Sequence, residues 1–289
     1  MSFILKGKTA VLTGAASGIG AATARLLASK GVNLALVDRD ADGLAAIHDE
    51  LNQYGVTVSV HRLDLVDAVG IATLPSAVLD VHGKVDMLLN NAGATLAGDF
   101  LELDQADFEW LMDLNFLGVV RMTRAFLPVL LSQSAAHITN ISSIFGIVSV
   151  PGQTAYCASK FAVRGFSNSL RYEMKNAGEA VQILTVHPGG IKTNIARNAK
   201  PHAEMSEADA ARSARSMERA FITTPESAAS QIVNAIEKGW ARLVIGPDAK
   251  QMMWIERFRP VRAWDVLDRI FKARARRAKA KALARQSTQ

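Results

Sequence analysis

"KTAVLTGAASGIGAATARLLASK", residues 8–30, begins as a short apolar run, passes through glycines spaced GxxxGxG, and continues as an Ala- and Leu-rich amphipathic segment. A strand that feeds a glycine turn and then a helix is the start of a βαβ unit. Glycine lets the backbone turn sharply and approach a ligand closely, and a helix N-terminus offers free N–H groups and a positive dipole end. Gly14, Ser17, Gly18, Ile19 and Gly20 therefore form a candidate cradle for a pyrophosphate. The spacing departs from the GxGxxG fingerprint, so a plain strand-to-helix connection is the competing reading.

Working outward, β-branched or apolar runs recur at residues 32–38, 56–64, 85–91, 137–143, 181–187 and 242–246, with segments long enough for helices between them. Continuously apolar strands alternating with helices predict a Rossmann-like, doubly wound α/β fold: a seven-stranded parallel sheet with helices on both faces. Right-handed crossovers then place ligands at the carboxyl ends of the strands. Asp38 ends the second strand 20 residues after Gly18, where a carboxylate accepts hydrogen bonds from adenosine ribose hydroxyls. A 2′-phosphate would set like charge against it, which favours NAD over NADP; Arg39 beside it works against that preference. The bland alternative is a turn residue in "DRDADG". Asp64 and Leu65, after the third strand, are placed to meet the adenine. Asn91, Ala92 and Gly93, after the fourth, bring small residues under the adenosine side.

The chain has 289 residues, 49% of them hydrophobic, enough for one large core. The expected division is a dinucleotide-binding and catalytic domain over 1–248, with 192–222 as a polar, Ala-rich substrate lid, and a basic amphipathic helical tail over 249–289. No uninterrupted apolar run approaches the roughly 20 residues of a membrane span, and the start carries no signal-peptide pattern, so a cytoplasmic protein is expected. Cys157 is the single cysteine and the six His show no metal-ligand spacing, so no metal site is expected. Net charge is +6, but residues 242–289 hold 13 Lys or Arg against 4 Asp or Glu, which leaves the remainder at −3. The basic character belongs to the tail, and the core is not read as binding nucleic acid.

"TGAASGIG", "NNAG", "LNFLG", a Ser thirteen residues before "YCASK", and "HPGGIKT" occur in that order across residues 6–246. In this combination the chain resembles the short-chain dehydrogenase/reductase family. The resemblance implies hydride transfer between a nicotinamide cofactor and an alcohol or carbonyl, and maps the catalytic Asn, Ser, Tyr and Lys onto Asn115, Ser143, Tyr156 and Lys160. Ser143 is then expected to bond the substrate oxygen, and Asn115 to hold a water that links Lys160 to solvent. Pro188 and Gly189 shape the nicotinamide pocket, and Ile191 and Thr193 meet the carboxamide and the diphosphate. Homo-oligomers, dimers or tetramers, are usual in the family.

Tyr156 and Lys160 stand at i and i+4, on one helical face. A Tyr acting as a base near neutrality needs its pKa lowered by about 3 units, or about 4 kcal/mol. One cation at about 4 Å supplies that at an effective dielectric near 20, so a lowered Tyr156 is expected. Cys157 is read as core rather than nucleophile, since no His is placed to activate it. Around this centre Ile144, Phe145, Val148, Val150, Pro151 and Leu96 suggest an apolar pocket for a lipophilic secondary alcohol or ketone. A non-catalytic dinucleotide-binding regulator or membrane-associated scaffold is the rival reading. In the tail, Trp264, Leu267, Ile270 and Phe271 fall at helical spacing. That stripe packs on its own or a partner subunit, or lies on an anionic membrane surface.

Overall fold

The computed structural model describes residues 2–195, 200–201, 212, 215 and 221–273. Alternating strands and helices dominate: β1 (Thr9–Thr13), α1 (Gly18–Ser29), β2 (Asn33–Asp38), α2 (Ala41–Leu51), β3 (Val58–Arg62), α3 (Ala68–His82) and β4 (Met87–Asn90). Beyond these come β5 (Leu96–Ala97), α4 (Gln105–Met112), a π-helical turn (Asp113–Leu117), α5 (Gly118–Leu131), β6 (Ala136–Ile141) and α6 (Thr154–Ala177). The chain continues with β7 (Val181–Pro188), β8 (Lys200–Pro201), α7 (Pro225–Glu237), β9 (Arg242–Ile245), α8 (Pro247–Phe258) and α9 over 263–273.

Seven strands form one parallel sheet in the order β3-β2-β1-β4-β6-β7-β9, as the alternating apolar runs predict. Winding reverses at β1, which pairs with β2 on one side and β4 on the other, so the crevice opens at the carboxyl ends of β1 and β4. The inner strands serve two cores. Ala10 and Leu12 join Leu27, Leu34, Ile232 and Ile236 on the α1 and α7 face, whereas Val11 joins Ile71, Phe126, Ile138 and Leu170 on the α3, α5 and α6 face. Burial on both faces is why β1 and β4 read as unbroken apolar runs. At the edge, β3 is shorter than its apolar run and only half-buried, with Val60 45% exposed. An edge strand has fewer neighbours to cover it.

The helical stretch Gln105–Leu131 is long and apolar enough to cross a bilayer by length and composition, with a mean hydropathy of 1.4 over 18 residues. Met122, Phe126 and Leu130 from it fill the second core layer. A short parallel pair, β5 with β8, lies outside the main sheet and brings Leu96 into contact with the Tyr156 cluster. Helices α8 and α9 close the far end: Ala249, Met252, Ala263 and Leu267 pack with Ile144, Ile147 and Val148.

Candidate active site

The turn after β1 can take its path only with glycine. Gly14 and Gly18 hold φ of +66° and +55°, in the left-handed region. A Cβ on Gly14 would sit 2.8 Å from Ala92 Cα, and one on Gly20 would collide with the Gly14 carbonyl oxygen. The turn is braced from β4: Asn91 Nδ2 donates to the carbonyls of Thr13 (3.0 Å) and Gly14 (3.1 Å), and Thr13 Oγ1 accepts from the Asn91 and Ala92 amides. Asn91 thus acts on the turn's backbone. Helices α2 and α3 are capped by Asp40 and Asp67, but Ser17 makes no side-chain cap on α1 and no acidic residue lies in its first turn. The positive end of α1 stays open to an anion.

Asp38 closes β2 with Oδ2 accepting from Ala16 N (3.0 Å) and Oδ1 from Asp40 N (3.1 Å). Asp64 accepts from Val66 N at 3.3 Å. From the other side Thr193 leans over the turn, its Cγ2 3.0 Å from where a Gly18 Cβ would stand. Every residue predicted for the cofactor except Gly20 lines a single cavity of about 1190 Å³, which Ser143, Tyr156 and Lys160 also line. Gly20 lies behind that surface, packed under the turn.

At the chemical end, β6 delivers Ser143, whose Oγ accepts from Phe145 N (3.1 Å) and caps the short turn Ile144–Gly146. The Tyr156 hydroxyl faces the Ser143 side chain closely enough for it to lower the phenol's pKa, and both line the cavity. One turn further along α6, Lys160 is 4% exposed; its Nζ donates to Ile141 O (3.2 Å) and lies 5.7 Å from the Tyr156 ring centroid. Asn115 sits in the π-helical turn, fully buried. It donates to Ala94 O (3.0 Å) and Ser159 Oγ (3.1 Å) and accepts from Ala94 N (2.9 Å). Both N–H groups of its amide are spent on the protein, so its side chain is a strut between α6 and the loop after β4.

The expected lowering of Tyr156 does not hold. Burial pushes the phenol up to about 12, and the Ser143 side chain offsets only part of that. Lys160 is itself desolvated, down to about 8, and its ammonium flanks the ring instead of meeting the hydroxyl oxygen. The charge-pair argument assumed close contact of two hydrated groups, whereas desolvation acts on both here and is the larger effect. Cys157 is 6% exposed, with its thiol pushed up by burial.

Several positioning groups escaped the sequence reading. Buried His187 pairs its Nδ1 with Ser143 O at 3.0 Å; against a carbonyl the ring nitrogen must carry the proton. Asp248, in the first turn of α8, accepts from Gly190 N (2.8 Å) and packs against Gly189, fixing the turn after β7. Both act across long sequence separations, and the "HPGG" stretch was the sole local signal. The tail stripe also has a definite place: Trp264, Leu267, Ile270 and Phe271 line the same cavity as Tyr156. Most of the predicted lid, and the basic tract 274–289, lie outside the described residues.

A family model described as short chain dehydrogenase matches residues 8–204. The "Putative oxidoreductase SadH" of Mycobacterium tuberculosis is 44% identical over 246 residues, covering 85% of this chain and 88% of that protein. Among solved structures, a short-chain dehydrogenase/reductase from Burkholderia phymatum in complex with NAD has a TM-score of 0.82 at 32% identity, covering 88% of this chain and 94% of that one. An alcohol dehydrogenase from Thermococcus sibiricus complexed with 5-hydroxy-NADP has a TM-score of 0.70 at 29% identity, covering 82% and 95%.

Proposed function

The chain belongs to the short-chain dehydrogenase/reductase family and is an oxidoreductase of it; on that premise we propose that it moves a hydride between a nicotinamide dinucleotide and a lipophilic secondary alcohol or ketone. The observation that carries the reading is the convergence of the Ser143 and Tyr156 hydroxyls, with Lys160 behind them, on the cavity that the glycine turn and Asp38 also line. The residues present fit the dinucleotide. The left-handed glycine turn after β1, the uncapped end of α1 and the Asp38 carboxylate suit a pyrophosphate and a ribose diol. Asp38 supports NAD over NADP, because a 2′-phosphate meets its negative charge.

When bound, the nicotinamide supplies or accepts the hydride. The protein handles the proton. Ser143 and Tyr156 hold the substrate oxygen between their hydroxyls, and Tyr156 gives its proton to that oxygen in the direction of reduction or takes it in the direction of oxidation. With burial raising its pKa, Tyr156 is protonated at neutral pH and available as the proton donor in the direction of reduction. Lys160, near 8, is still largely charged at pH 7 and offsets the negative charge that grows on the phenol. Asn115 and Ser159 hold α6 in register for both groups.

The test follows reduced-nicotinamide absorbance with a panel of hydrophobic ketones and alcohols. Tyr156→Phe is expected to lose about 10²- to 10⁴-fold in turnover, and equal rates in both proteins remove Tyr156 from the chemistry. Alcohol oxidation should climb with pH through the alkaline range, while ketone reduction holds near neutrality. Dinucleotide binding with no turnover of any panel member favours the regulatory alternative.

A further inference from the structure

Gln153 is the residue ahead of α6, three positions before Tyr156, and is only 7% exposed. Thr95, 6% exposed in the loop after β4, donates its hydroxyl to Gln153 Oε1 at 3.0 Å. In this arrangement the carboxamide oxygen faces Thr95 and the NH₂ end is turned from it. Among the described residues, no acceptor meets Gln153 Nε2, although both Gln153 and Thr95 line the reaction cavity. The apolar side chains of Leu96, Phe145, Val150, Met252 and Trp264 line the same cavity. The NH₂ end is left open to the cavity, where a ligand acceptor can take the place of water.

We infer that Gln153, aimed by Thr95, is a subsite for a second acceptor oxygen on the substrate, close to the reacting carbon. The substrate class is then a lipophilic ketone or alcohol bearing a further carbonyl or ether oxygen near that carbon, such as a diketone. Spacing supports this. Gln153 stands three residues ahead of Tyr156, at the entry to the same helix, and both line the cavity. The rest of the molecule lies against the apolar wall built by α8 and α9.

This subsite rests on the function proposed above, and the experiment separates the two. Dissociation constants of benzil and of deoxybenzoin, which lacks one of the two carbonyl groups, are measured for the NADH-loaded protein. Wild type is expected to prefer benzil by about 10-fold or more. Gln153→Met should bring the two within about 2-fold, changing deoxybenzoin little and leaving NADH affinity intact. Thr95→Val, which releases the carboxamide without removing it, should lose part of the preference and decides the matter if the first variant does not fold. No preference in wild type, or an equal loss for both ketones in either variant, overturns the subsite. A preserved preference without any NADH oxidation counts against the hydride-transfer reading alone.

Discussion

The two ends of the cavity are built in different ways. At the glycine end the walls are main chain: a left-handed turn, an uncapped helix terminus and the backbone after β4, with most of the parts inside the first βαβ unit. At the substrate end the walls are side chains from β5, α6, α8 and α9, brought together across more than half of the chain. A backbone cradle is encoded by which residues lack a Cβ, so it is read locally. A side-chain wall exists only once distant helices pack, so its shape is a tertiary property. Where the two meet stand Ser143, Tyr156 and Lys160, the groups proposed to carry the chemistry.

The strongest test of that division falls on the meeting point. Lys160→Met is expected to lower turnover by about 10²- to 10⁴-fold and yet to raise thermal stability. Burial holds Lys160 near 8, below its ordinary 10.5. The charged form is therefore disfavoured in the folded state, at a cost of about 3 kcal/mol below pH 8 that is relieved as pH rises towards 10.5. Removing the charge at pH 7 should recover part of it, read as a higher melting temperature. An activity loss with no gain or a fall in stability contradicts this account.

At the glycine end, Gly20→Ala forces a Cβ into the Gly14 carbonyl. NADH binding should weaken by about 10- to 100-fold. At the opposite end Leu267→Ala opens the apolar wall at a side chain 1% exposed. Its expected effect is a rise of about 10-fold in KM for lipophilic ketones, with NADH affinity unchanged. If Leu267→Ala weakens NADH as much as it weakens the ketone, the two ends are not separable. The smallest effect belongs to Asp38→Ala, which should narrow the preference for NAD over NADP by a few-fold to about 10-fold, measured as the ratio of kcat/KM values. Arg39 limits it by partly offsetting the charge already.

Much of the sheet was legible because parallel strands buried on both faces leave unbroken apolar runs, and the residues of the cradle announced themselves through glycine spacing. Tyr156 and Lys160 were legible as an i, i+4 pair, but their ionisation was not. Periodicity gives the face on which two side chains stand; it does not give their depth, and depth pushes the Tyr156 phenol up to about 12. Asn91 illustrates the same limit. Its place after β4 was readable, whereas its use as a brace for Thr13 and Gly14 depends on how β1 and β4 register. The aromatic stripe of α9 was found by its spacing, yet a helical stripe looks identical whether it meets a lipid, a partner or its own subunit. Packing against Ile144 and Val148 is what turns it toward the cavity.

By itself the order of residues along this chain determined the seven strands of the main sheet, their parallel winding, the glycine turn and the i, i+4 pairing of Tyr156 with Lys160, because those depend on local geometry and on spacing within single elements. Tertiary structure alone decided the proton affinity of Tyr156 and Lys160, the orientation of Gln153 by Thr95, the grip of His187 and Asp248 on the site, and the closure of the pocket by α8 and α9. Desolvation and contact are properties of what surrounds a group, and the surroundings come from elements far apart in the chain.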